Sequence, residues 1–311
     1  MKPRIPALAP VLLAAALTAS SLAVAAPVIG LDPSGNHNYT TYADLWTNIT
    51  DTGLARDFIP GATVGAGGNT APYLTELRMQ TRVGTMSNSN TGSMVTPAGL
   101  NTSFEITKVV RFQELVDQQS GNSAHFTLPA SQAAAMDVDP LRAGVQNMAI
   151  FLDDLADGSN AIPGTGIPGD PGTVRCYGAG SSSAGCGAGP NGDGIMILSG
   201  HLVFNDASFT ATGPVGTGSF DSRFVIDYVD ADYLDIVQGS LLQDKFTGTT
   251  NVPSFFTPAH MWDGAVPNTV PFLKVDSSQS WIAAVPEPAT LALMGLGLAG
   301  LALNRRRDAQ A

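Results

Sequence analysis

Cysteine, histidine and glutamate are all scarce in this 311-residue chain, and charged residues make up only 13% of it. Each shortage excludes something. The four histidines, His37, His125, His201 and His260, are scattered singletons. No H-E-x-x-H, P-loop or helix-opening G-x-G-x-x-G is present. No G-x-S-x-G supplies a nucleophile elbow, and the nearest serine contexts, Leu198–His201 and Gly216–Ser222, lack its spacing. His201 falls in a strand-like run, where a half-exposed sheet histidine and a catalytic base are the competing readings. Basic residues are also few. Between the two chain ends lie 24 acidic and 10 basic side chains, a charge of about −14, which argues against a nucleic-acid partner. The same acidity suits cations as bridging counterions. Acids are nearly all aspartate, with glutamate only at 76, 105, 114 and 287. Together with 34 glycines and 21 prolines this favours turns over helices. The low charge excludes a charge-rich disordered chain. The expectation is an all-β body with long loops.

What is present begins with a basic start, Lys2 and Arg4, and an apolar run Leu8–Leu17 that resumes at Leu22. Ala23 and Ala25 are the small residues a signal peptidase needs, so residues 1–25 read as a secretory signal cleaved before Ala26. About 260 residues then form the exported body, 26–284, enough for one large β domain or two smaller ones. Tyr73–Met86 reads as one long strand. Asn101–Val116 alternates more clearly, with Phe104, Ile106 and Lys108 on one parity and Thr107, Val109 and Arg111 on the other. Ala143–Leu155 reads as a strand, with helix as the alternative. Gly194–Phe204 and Ser222–Ile236 are the best strands, joined by hairpin-like turn chemistry over Asn205–Asp221. Short strands between Gly/Pro turns point to a β-sandwich-like body. No fixed-period repeat is evident.

The run 157–193 is dominated by Gly, Pro and Ser and reads as a long surface excursion. It carries both cysteines. An exported chain meets an oxidising compartment, so a Cys176–Cys186 disulfide is expected, worth roughly 3 kcal/mol at most for so short a loop. Two free thiols or half a metal site are the alternatives, though no His lies nearby to complete zinc. "DYVDADYLD" holds Asp230 and Asp232, which in a strand would share one face and are candidates for a Ca²⁺ site. A solvated strand face, where charge discourages aggregation, is the competing reading. Glycosidase chemistry would need two carboxylates at a set separation that spacing alone does not provide.

The tail "VPEPATLALMGLGLAGLALNRRR" has an apolar run only from Ala289 to Leu303. As a helix that is about 22 Å, short for a bilayer core of about 30 Å. Pro288 suits a first helical turn and Glu287 the positive end of its dipole. Arg305, Arg306 and Arg307 would stay cytoplasmic. A cleavage-like motif, a short apolar helix and a basic end make a processed anchor. Pro286, Glu287 and Pro288 followed by this helix and the arginines resemble the PEP-CTERM protein-sorting domain, over residues 285–308. The resemblance implies recognition by an exosortase in a Gram-negative bacterium that makes exopolysaccharide. The same kind of tail is also described as an ice-binding protein C-terminal domain, but no regular Thr-x-Thr array accompanies it here.

The segments "PAGLNTSFEITKVVRFQELV", "NGDGIMILSGHLVF" with "ASFTATG", and "FLKVDSSQSW" are similar to the flocculation-associated PEP-CTERM proteins. That likeness implies a secreted, non-enzymatic protein that retains exopolysaccharide in flocs or biofilm, and it carries over no binding residue. A secreted carbohydrate-active hydrolase with the same tail and a permanently tail-anchored envelope protein are the rival expectations. No catalytic or cofactor-binding residue is assigned. The expected partners are signal peptidase, exosortase, matrix polysaccharide and, transiently through residues 289–303, the membrane.

Overall fold

The structure is a computed structural model that describes residues 28–154, 194–212, 215–251, 272–274 and 277–282. The signal residues 1–25, the Cys176–Cys186 pair and the sorting tail with its apolar run 289–303 lie outside the described residues. So does the whole 157–193 excursion. Among the described residues no helix is long and apolar enough to cross a membrane.

Among the described residues the strands all pair antiparallel, with one 3-10 turn at Ala134–Met136. In chain order the strands are β1 (Ile29–Leu31), β2 (Thr41–Ala43), β3 (Leu45–Arg56), β4 (Thr63–Val64), β5 (Tyr73–Asn88), β6 (Ser93–Met94), β7 (Phe104–Ser120) and β8 (Ser123–Thr127). There follow β9 (Met148–Asp154), β10 (Ile195–Thr212), β11 (Val215–Val229), β12 (Leu234–Asp235), β13 (Leu241–Asn251), β14 (Phe272–Lys274) and β15 (Ser277–Ile282). Tyr73–Met86 is one strand, as its pattern predicts. Ala143–Leu155 resolves to strand from Met148. The hairpin over Asn205–Asp221 is real, and its ladder runs further than the composition suggests. Both strands run on through the Ser/Thr/Gly stretch, with Thr212 opposite Val215. Serine and threonine there face outward on a paired strand, so turn-prone composition yields to ladder hydrogen bonds.

The two walls of the expected sandwich are parts of one sheet. β3 pairs β5, β5 pairs β7, β7 pairs β9, β9 pairs β10, β10 pairs β11, β11 pairs β13, β13 pairs β15, and β15 pairs β3 again. These eight strands close a ring, which removes its edges. β1, β2 and β12 form a separate three-stranded sheet. Its Ile29, Leu31 and Leu234 join the main apolar core.

Strand length shapes the wall. β7 and β10 have 17 and 18 residues, and neither keeps one neighbour throughout. Their first halves take β9 between them and their second halves take β8. Bulges at Asp117 on β7 and Val203 on β10 bend the two strands near where the neighbour changes, and a third at Asp227 bends β11 opposite Ser199–Gly200. At Gly200 an added Cβ would meet the Val225 carbonyl oxygen at 2.3 Å, so the bend needs glycine. Asn147 bridges the gap between β9 and β8. Its amide bonds the Gly200 carbonyl at 2.9 Å and its carbonyl accepts from the Arg111 amide at 2.8 Å. Its side chain donates to the Arg111 carbonyl and accepts from the Leu202 amide, both at 3.1 Å.

The inward face has two apolar clusters and a polar belt. Trp46, Val83, Ile106, Phe112, Phe224 and Trp281 are among the main cluster, with Trp46 and Trp281 edge to face at 5.1 Å. Val116, Phe126 and Ala207 form the core of the second. The belt runs strand to strand: Asn48 donates to Ser277, Gln279 lies opposite Asp244, Asp244 opposite Ser222, Ser222 donates to Asn205, and Asn205 donates to Glu114. Lys108, fully buried, reaches Asp244 Oδ2 at 2.5 Å. Outside the ring, Val138 of the 128–147 segment packs over Val109, Ala149 and Phe151. Glu76 on β5 takes Arg78 Nε at 2.5 Å and Arg111 Nε at 2.7 Å.

Candidate functional site

β8 helps to build a cleft with several polar side chains. Paired to β7 on one side and β10 on the other, it sets Gln118, His125 and Ser208 in one row and Ser120, Ser123 and Thr210 in another. The bulge at Val116/Gln118 leaves Asp117 as the extra residue on β7 and turns its carboxylate onto His125. The β4 end, Val64 to Ala66, walls the far side. The result is a cleft of about 670 Å³, within the usual range for small-ligand sites. Gln119 locks one flank: its Oε1 accepts from Tyr73 Oη at 2.7 Å and its Nε2 donates to the Ile59 carbonyl at 2.9 Å.

At the centre, His125 Nδ1 lies 2.6 Å from Asp117 Oδ1 and Nε2 lies 3.1 Å from Asp206 Oδ1. The hydrogen bond to Asp117 is the main cause raising the imidazole above its usual range. Partial burial opposes it, and the charge of Asp117 and the contact with Asp206 reinforce it. With both ring nitrogens engaged by carboxylates, the imidazole has no free nitrogen to take a proton from a serine. The arrangement suits hydrogen bonding to a polyhydroxylated ligand: carboxylate and amide oxygens accept, while amide, hydroxyl and imidazolium groups donate.

A second, smaller cavity of about 400 Å³ lies outside the gap that Asn147 bridges, lined by Gln132, Gly144, Gln146, Asn147, His201 and Asp227. His201 stands on β10, as expected, with Nδ1 2.5 Å from Asp227 Oδ2. It too is committed to a carboxylate.

Asp230 and Asp232 do not share a strand face. β11 ends at Val229, and residues 230–233 turn back toward β12. Asp230 Oδ1 accepts from the Asp232 amide at 3.0 Å, and Asp232 pairs with His37 Nε2 at 2.7 Å. Among the described residues no group of three or more His, Cys, Asp or Glu side chains is placed to hold a metal ion. The nearby Asp32 is a loop organiser. Burial pushes its carboxyl up, but hydrogen bonds from the Ser34 side chain and from the amides of Asn38, Ser34 and Asn36 prevail and hold it at about 2.

Sequence reading missed His125 as a centre because its partners lie 8 residues back and 81 residues on. The available signal was the parity of β7, whose Asp117 and Gln118 lie outside the core. Lys108 was legible only as sharing a face with Phe104 and Ile106; its counter-ion 136 residues away was not.

The fold and cleft define a class: an all-β body closed by its own strand pairing, with a cleft that carries hydrogen-bonding side chains. Residues 284–307 match the PEP-CTERM protein-sorting motif. The matched span contains Pro286, Glu287, Pro288 and the three arginines, and it implies an exported protein sorted by an exosortase and associated with the cell surface. The chain matches no curated protein and no solved structure.

Proposed function

We propose that this protein is a non-enzymatic component of the cell surface or extracellular matrix that holds exopolysaccharide and so keeps cells in flocs or biofilm. The observation that carries the reading is the sorting motif at 284–307, which ties the chain to exosortase export. The cleft around His125 supports it from the body. Its groups are hydrogen-bonding, and its histidine is held by Asp117 and Asp206. In this reading signal peptidase removes the amino-terminal segment, exosortase acts at the Pro286–Pro288 motif, and the folded barrel remains outside as the binder.

Two measurements test it. Cells lacking the gene should lose polysaccharide from the pellet and flocculate poorly; unchanged flocs and unchanged retention would reject the proposal. Incubating the purified protein with the polysaccharide of the producing cells should give co-sedimentation with no change in chain length. Shortened chains would instead identify a hydrolase.

A further inference from the structure

The charge of the cleft sets what kind of saccharide it accepts. Among the described residues its lining sets Val64, Ala66 and Ala124 beside Asp117, His125 and the polar side chains of Gln118, Ser123, Ser208 and Thr210, with no lysine or arginine. Asp206 completes the imidazole's partners. With His125 protonated the cluster holds one net negative charge, and with His125 neutral it holds two. Among the described residues, Arg223 and Lys245 both approach Asp221, the residue opposite Asp206 on β11, so that group one strand away carries one net positive charge. An incoming carboxylate, sulfate or phosphate in the cleft would meet Asp117 and Asp206 directly, with the surplus cation a strand further away on the far side of Asp206. The body as a whole, 24 acidic against 10 basic side chains, adds repulsion at longer range.

The polar surface also extends beyond the cleft in one direction. Ser208 and Thr210 lie opposite Ser219 and Thr217 on β11, and Ser208 Oγ and Ser219 Oγ are 3.1 Å apart. Hydroxyls thus continue across neighbouring strands, whose backbones lie about 4.8 Å apart. Such a strip can follow a chain of sugar units past the cleft, whereas a single small solute would need the cleft alone.

We propose that the His125 cleft and the Ser/Thr strip beside it form a binding site for non-acidic polysaccharide, built of neutral or amino sugars, and that it discriminates against uronate-, sulfate- or phosphate-bearing chains. This rests on the matrix-binding reading above. Asp117 and Asp206 would accept from sugar hydroxyls or an amino group, and Ser123, Ser208 and Thr210 would complete the contacts.

The test uses the full chain in detergent and the polysaccharide of the producing cells, separated by anion exchange into neutral or cationic and acidic fractions. Binding to each fraction is measured at low and at physiological salt. The expected result is at least tenfold tighter binding to the non-acidic fraction. A His125→Ala variant and a Ser208→Ala/Thr210→Ala double variant should each weaken that binding about tenfold, while His201→Ala, at the other cavity, should not. Unaltered melting temperatures would show that the variants fold, and a conservative His125→Gln variant serves if His125→Ala does not. Tighter binding to the acidic fraction would overturn the proposal, as would binding indifferent to the cleft variants. In that second case the matrix-binding function survives and only this site assignment fails. Binding to neither fraction would remove both.

Discussion

Glu114 keeps its carboxyl in the interior of the ring with Asn205 Nδ2 at 2.9 Å and no paired cation. Burial is the leading cause that raises it from 4.5 to about 7, and the hydrogen bond from Asn205 only partly offsets this. The folded chain therefore keeps a proton that the unfolded chain releases. Stability falls as pH rises from about 4.5 to about 7 and stays lower above that, by on the order of 3 kcal/mol. Glu114→Gln keeps the acceptor for Asn205 and removes the charge. It should raise the melting temperature at pH 8 and leave it nearly unchanged at pH 4; equal melting shifts at both pH values would refute this account. The Lys108–Asp244 pair behaves differently, because both charges are buried and each neutralises the other. Lys108→Met alone should cost about 3–5 kcal/mol in urea unfolding, whereas Lys108→Met with Asp244→Leu should cost far less. His125, raised chiefly by its bond to Asp117, should titrate above 6.5 in NMR. Its pairing stabilises the fold below that usual value and fades as pH passes through the raised one.

At the scale of elements, the gap between β9 and β8 is the weak point of the wall. Asn147 substitutes for a strand there with two backbone and two side-chain hydrogen bonds. Asn147→Ala keeps the first two and leaves the Arg111 carbonyl and the Leu202 amide each short of a partner. A loss of about 2–4 kcal/mol is expected in denaturant unfolding. Amide exchange should quicken locally at Leu202 and its neighbours rather than throughout the ring. Strand identity was readable at this scale: β5, β7, β9 and β10 were each marked by β-branched or alternating residues. Strand ends were not. Ser222–Ile236 looked continuous, yet it breaks after Val229 because Asp230 folds the chain back through its own side chain. Conversely, Asn205–Asp221 read as hairpin turn chemistry and is mostly ladder, since pairing of β10 with β11 satisfies the backbone whatever the local turn propensity.

For the whole molecule, the tail and the barrel divide the work. The motif at 284–307 implies an address, and the closed sheet presents the surface that reaches the outside. Mass spectrometry of the protein recovered from producing cells should find the chain ending near Pro286–Pro288 and lacking the apolar run. Replacing Pro286, Glu287 and Pro288 with alanine should retain the uncut form in the membrane. An intact tail on the wild-type mature protein would contradict exosortase processing.

The sequence by itself determined the β class, the parity of the core strands and the sorting motif, because each is written in residues that are neighbours along the chain. Periodicity of two, turn chemistry and a Pro-Glu-Pro motif before an apolar run are local signals. Only the tertiary structure decided that the sheet closes on itself through β3 and β15, that Lys108 finds Asp244, and that Asp117, His125 and Asp206 meet in one cleft. Those outcomes depend on which distant strands pair and in what register. A shift of a single residue would turn every side chain of a strand to the opposite face.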